Sequence, residues 1–147
     1  MRLGEDPKNR ATVQICDRIE AAAVWDEAAP FLRASCGRGI GDLTEKDLAD
    51  LCFDGSAALL IFTGPQADLV GAGVTQLLRH PDGRMVMKIL AFGATEFEMT
   101  RHCLAQVEAD AKSKGAQAVQ FHGRPGWKRV CGPMGYDVKQ VIMERAL

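Results

Sequence analysis

The stretch Lys114–Tyr136 (KGAQAVQFHGRPGWKRVCGPMGY) constrains the fold more than any other. Lys114-Gly115 has the composition of a helix end, because glycine takes up the left-handed turn past a last helical residue at no steric cost. Ala118 to His122 then reads as a strand. Arg124 to Val130 reads as a short helix, with Pro125 at an early position where its missing N–H costs nothing. Gly135-Tyr136 turns the chain toward Asp137–Arg145 (DVKQVIMER), whose alternation predicts a last strand. A helix feeding a strand, a short helix and another strand requires a sheet with helices against it.

The upstream pattern supplies the rest of that sheet. Ala57 to Thr63 (AALLIFT) is a short continuous apolar run, as in a strand buried on both faces. Leu69 to Arg79 is a second strand, whose Gly71 and Gly73 predict a bulge or a close backbone approach. Pro81-Asp82-Gly83 has hairpin composition, and Arg84 to Phe92 (RMVMKILAF) is the third strand. Thr95 to Lys114 carries Phe97, Cys103, Leu104, Val107 and Ala111 on one face of a helix. Nearer the start, Ile15, Cys16, Ile19, Ala22 and Ala23 recur at three- and four-residue spacing, which predicts a helix over Ala11 to Ala34. Pro30 can end it, kink it or open a further turn. Asp42 or Thr44 can cap a second helix, Glu45 to Cys52, and Thr44 with Asp47 has capping-box spacing. Met1 to Arg10, with Gly4 and Pro7, predicts a flexible arm, leaving residues 11–147 as one domain.

Composition excludes several classes. At 147 residues the chain is long enough for a sizeable core, and its 47% apolar and 25% charged residues are those of a soluble globular protein. A net charge of −1 offers no global attraction to nucleic acid or anionic membrane. No apolar run approaches the ~20 residues of a membrane span, and the charged opening MRLGEDPKNR has no signal-peptide core. Cys16, Cys36, Cys52, Cys103 and Cys131 form no C-x-x-C pair, so they read as free thiols in a reducing cytoplasm.

The order of elements (two helices, three antiparallel strands, a long helix, strand, short helix, strand) resembles the GNAT (N-acetyltransferase) superfamily. The likeness is best from Ala57 to Leu147. It implies an α/β (α+β) fold: a mixed, mainly antiparallel sheet of about five to seven strands flanked by helices. It also implies a gap between the two strands around the long helix, where coenzyme A lies in that family. Active members carry an Arg/Gln-x-x-Gly-x-Gly/Ala turn there, because backbone N–H groups must converge on a pyrophosphate at a helix N-terminus. Here the corresponding residues are Phe92-Gly93-Ala94-Thr95-Glu96-Phe97-Glu98. They contain one glycine, lack the leading basic or amide residue, and place two acids near the phosphate position, where a carboxylate within ~5 Å is repelled. Those acids favour the helix dipole instead, so the helix is expected to be capped by its own side chains rather than by a cofactor. The family's tyrosine general acid falls by count on Cys131, and Tyr136 matches a turn aromatic that is normally structural.

The run His122 to Trp127 resembles a subset of small GNAT-like proteins of tailed bacteriophages. Two functions are implied by these resemblances. The first is a non-enzymatic protein that has kept the fold and lost the cofactor, acting through protein–protein contacts with phage structural proteins or copies of itself, in the host cytoplasm or the virion. The second is an acetyl-CoA-dependent N-acetyltransferase with a divergent loop. There Gly93 and the amides of Ala94, Thr95, Glu96 and Phe97 would hold the pyrophosphate, and Cys131 or Tyr136 would protonate the leaving thiol.

Other clusters read more plainly. His122, Arg124, Lys128 and Arg129 with Trp127 could contact an anion or a partner, but four residues on a neutral chain give few phosphate contacts, and the simpler reading is a solvated face over a packed Trp127. Glu96, Glu98, His102 and Glu108 match no metal-ligand motif. Cys131 would be reactive only if Lys128 and Arg129 depressed its pKa; a buried structural thiol is the alternative.

Overall fold

A computed structural model of the chain describes residues 11–36, 43–122 and 126–147, without the side chains of Phe97 and Glu98. The expected arm over residues 1–10, the glycine loop 37–42 and Arg124 lie outside the described residues.

Five strands form one sheet in the order β1 (Thr12–Cys16), β2 (Ala58–Thr63), β3 (Leu69–Arg79), β4 (Met85–Ala94) and β5 (Ala118–Phe121). All neighbours are antiparallel except β4 and β5, which are parallel. A parallel pair needs a crossover, and α3 (Phe97–Ser113) supplies it. The α+β architecture expected from the sequence is therefore present. Helices α1 (Arg18–Leu32) and α2 (Glu45–Asp54) cover one face of the sheet. The other face carries α3 and the short α4 (Trp127–Cys131). Alternation along β2 serves both cores: Leu59 and Ile61 face α1 and α2, while Leu60 and Phe62 face α3. Among the described residues, no helix is long and apolar enough to cross a membrane.

The start of the chain differs from the sequence expectation. The predicted helix from Ala11 is instead β1, paired antiparallel with β2, followed by α1. Asp17 divides them. Its carboxylate accepts from the Glu20 N–H at 2.8 Å, and the Glu20 side chain accepts from the Asp17 N–H at 3.1 Å. This reciprocal box stops the strand and starts the helix. The buried face of α1 is Ala21, Trp25, Ala28, Ala29 and Leu32, whereas Ile19, placed on the apolar face by periodicity, is 82% exposed. Pro30 neither ends nor opens a helix: α1 runs through it to Leu32 and tightens into a 3₁₀ turn, Arg33–Ser35.

Other local readings hold. Thr44 and Asp47 form the expected capping box. The hairpin at Pro81–Gly83 closes through His80 N–H to Arg84 O at 2.8 Å. A Cβ on Gly71 would stand 2.8 Å from the Gly93 carbonyl oxygen, so this glycine marks a close backbone approach. The predicted last strand is absent: residues 137–147 are exposed and unpaired among the described residues.

Candidate functional site

The site begins with one extra residue in β4. Thr75 pairs with Ile89 and Val74 with Ala91, so Leu90 has no partner on β3. A bulge of this kind bends its strand and re-aims the residues beyond it. Pairing of β4 with β5 ends at the same place, Ile89↔Phe121. Beyond it β4 continues to Ala94 with no strand on that side among the described residues, a notch in the pairing.

Backbone groups along a half-buried edge need partners. At Phe92 both come from Ser35. The Phe92 N–H donates to Ser35 Oγ at 3.2 Å, and the hydroxyl donates to the Phe92 carbonyl at 2.9 Å. One side chain thus satisfies an edge that a strand, or a strand-like ligand, would otherwise pair. Ser35 is presented by the 3₁₀ turn after α1. That turn is tied by Cys36 Sγ to Leu32 O at 3.4 Å and by an exposed Arg33–Glu45 ion pair at 3.1 Å. From the other face, Trp127 and Phe121 fill the base of the notch. Their ring centroids are 4.4 Å apart and lie 6.1 and 6.4 Å from that of Phe92.

The predicted cofactor residues separate into different roles. Gly93 and Ala94 lie inside β4, opposite Ala72 and Gly71. A Cβ on Gly93 would lie 1.9 Å from the Phe31 carbonyl oxygen. Gly93 is thus bare because the end of α1 crosses it. The Thr95 N–H continues the ladder to Val70 O at 2.9 Å. Glu96 is the N-cap of α3, yet its side chain makes no capping hydrogen bond. Of the two acids expected to cap this helix, Glu96 does not, because extended backbone there leaves it exposed, and the Glu98 side chain lies outside the described residues. Glu96 thus supplies no side-chain cap to the first turn of α3, which Phe97 opens.

Cys131 and Tyr136 are held elsewhere. The Tyr136 hydroxyl donates to Glu108 Oε2 at 2.8 Å, and its N–H donates to Cys131 O at 3.2 Å. Burial first, then the Glu108 carboxylate, pushes the phenol well above its ordinary range. Glu108 sits roughly 18 Å along α3 from its N-cap at 1.5 Å per residue. Cys131 is 5% exposed, and burial followed by Glu108 raises its pKa. Lys128 and Arg129 therefore do not depress it as considered from the sequence. These contacts lock α4 and its following turn onto α3. Glu108, weighed above as a metal ligand, is the acceptor in that lock. Among the described residues, no group of three or more His, Cys, Asp or Glu could hold a metal ion.

Of the basic cluster, His122, Lys128 and Arg129 are exposed, while Trp127 is half-buried against Phe121. Partial burial and then the Lys88 charge lower the His122 pKa, which weakens it as a cation. Sequence reasoning missed Ser35 and Phe31 altogether. The Ser35–Phe92 contact spans 57 residues, and no local pattern announces it.

No protein-family model and no curated protein matches this sequence. Solved structures do match its fold over nearly the whole chain. An aminoglycoside acetyltransferase from an uncultured soil metagenomic sample has a TM-score of 0.68 at 10% identity, covering 94% of this chain and 99% of its own. A GNAT family acetyltransferase from Staphylococcus aureus has a TM-score of 0.63 at 15% identity, covering 93% and 98%. An acetyltransferase from Trypanosoma brucei has a TM-score of 0.62 at 13% identity, covering 94% and 100%. The chain therefore has the GNAT acetyltransferase fold. The likeness extends well beyond the Ala57–Leu147 portion best matched in sequence.

Proposed function

We propose that this chain is an acyltransferase that takes an acyl group from a coenzyme A thioester and passes it to an amine. The observation that carries the reading is the notch opened by the Leu90 bulge, where the N–H and C=O of Phe92 face a non-strand partner. An extended pantetheine arm has amides of the right kind to replace the Ser35 hydroxyl on those two groups. The first turn of α3, which Glu96 does not cap, would offer its amides and the positive end of its dipole to a pyrophosphate. The thioester supplies the activated acyl group. The Phe92 N–H orients the arm, the Phe92–Phe121–Trp127 rings exclude water from the base of the notch, and Ser35 turns aside. Glu96 is the opposing influence, since its exposed carboxylate stands at the same helix end.

Calorimetric titration with acetyl-CoA at modest salt tests this. Micromolar binding, followed by acetyl transfer to a panel of amines, is the expected result, and no heat at millimolar ligand would overturn it.

A second reading rests on how the notch is filled. Ser35 occupies the Phe92 edge, Phe31 covers Gly93, and Tyr136 is committed to Glu108. A non-enzymatic protein that keeps the fold and acts through protein contacts would have these features. A bacteriophage virion or assembly component is its most specific form, and it requires finding the chain in purified particles. Absent binding in the same titration would favour this reading.

A further inference from the structure

We propose that Lys88, with Gln76 and Gln120 beside it, holds the carboxylate of an acceptor that carries both an amine and an acid, so that the preferred substrates are amino acids and related amino carboxylates. This substrate class rests on the acyltransferase reading above. Lys88 lies on β4 directly between Gln76 of β3 and Gln120 of β5. Paired residues of neighbouring strands project from the same face of a sheet. Ile89, Val119 and Phe121, their neighbours along the strands, turn into the α3 core, so this row of three polar side chains faces the other way. That is the face of α1 and α2, whereas the helix packed on β5 is α3, on the opposite side.

Lys88 is half-buried, yet among the described residues its ammonium makes no ion pair and no hydrogen bond. A cation partly removed from water without a counter-charge is unfavourable, and an anion brought to it is held by a charge-assisted hydrogen bond. Gln120 is half-buried as well, and its amide has no partner among the described residues. Gln76 donates to the Ser56 carbonyl at 3.2 Å, which fixes its amide at the other end of the row. His122, two residues past Gln120, stands close enough for the Lys88 charge, after partial burial, to lower its pKa. It is therefore largely neutral near neutral pH and adds no second cation. One positive charge flanked by amide donors matches a carboxylate monoanion rather than a doubly charged phosphate.

The row lies beside the notch. Pairing of β4 with β5 stops at Ile89↔Phe121, the pair that follows Lys88↔Gln120. Leu90, the extra residue of the bulge, is two positions from Lys88 and packs on the same side of the sheet. Two strand residues span about 7 Å. A carboxylate on Lys88 thus leaves the amine of a short acceptor at the mouth of the notch, and an acceptor with no acid loses that anchor.

The test uses the full chain. NMR follows the imidazole of His122, assigned by His122→Gln, while sodium acetate is added at constant ionic strength. Acetate held on Lys88 cancels its charge, so the His122 pKa should rise by about 0.5, with no matching response at His80 or His102. In Lys88→Gln the His122 pKa should begin higher, and acetate should no longer move it. An equal response of all three histidines, a response that survives Lys88→Gln, or a larger response to inorganic phosphate would each overturn the proposal. Acetyl transfer gives the second arm. γ-Aminobutyrate should be used in preference to butylamine. Lys88→Gln should raise KM for γ-aminobutyrate about tenfold or more with kcat little changed, and leave butylamine unaffected. Equal losses for both amines would make Lys88 structural and overturn the proposal. No transfer to any amine sinks the acyltransferase reading instead, and the acetate titration still decides whether Lys88 binds a carboxylate.

Discussion

Replacing Ser35 with alanine should lower stability and raise affinity for acetyl-CoA together. The hydroxyl makes two hydrogen bonds to Phe92, at 2.9 and 3.2 Å, in a partly buried setting. Its removal leaves an N–H and a C=O without their partner, at a cost of about 1–3 kcal/mol. For a domain of this size that corresponds to roughly 3–9 °C in Tm. If an acyl-pantetheine arm uses the same two groups, the wild-type protein must break the Ser35 contacts before it binds. Removing a contact worth about 1–2 kcal/mol then tightens apparent binding by roughly five- to thirty-fold. Differential scanning fluorimetry reads the first effect and isothermal titration the second. A destabilised variant whose affinity is unchanged or weaker would refute the reasoning, because Ser35 would then not compete with the ligand.

Three further outcomes are expected. Gly93→Ala should destabilise by about 2–3 kcal/mol or more, since its Cβ would press on the Phe31 carbonyl, and urea unfolding showing a loss below about 1 kcal/mol would contradict the packing described. Trp127→Ala should cost about 2–4 kcal/mol and reduce the near-UV circular dichroism signal, because the ring stack with Phe121 and Phe92 is lost. Stability should also fall at alkaline pH. Burial pushes the Cys52 and Cys103 thiols from 9.0 to about 12, so between those values the unfolded chain releases protons that the folded chain retains. Stability is therefore full below about pH 9 and declines by about 1.4 kcal/mol per pH unit for each thiol up to about pH 12. The slope should flatten in Cys52→Ala and Cys103→Ala, and an unchanged slope in both would count against this account.

Local chemistry made much of the fold legible. The apolar run of β2, the Pro81–Gly83 hairpin, the Thr44–Asp47 box and the amphipathic face of α3 each state their own structure within a few residues. The exchange of a predicted helix for β1 came from reading periodicity across Asp17, although the Asp17–Glu20 box was present in the sequence as a stop signal. The Asp137–Arg145 alternation predicts a strand that is absent among the described residues. A strand pattern specifies a residue's face but not who supplies the neighbouring edge.

The sequence by itself determined the class of fold and the presence of a strand-to-helix junction at Phe92–Phe97, because propensity, capping and turn chemistry act over a few residues. Only the tertiary structure decided what that junction does. Gly93 resembles a phosphate-loop glycine in sequence, yet the carbonyl of Phe31, distant along the chain, lies against it. The Phe92 N–H and C=O find their partner in Ser35 only because the end of α1 brings that side chain to the edge of β4. Such contacts depend on where whole elements come to rest in the packed molecule, and no local pattern of residues encodes that placement.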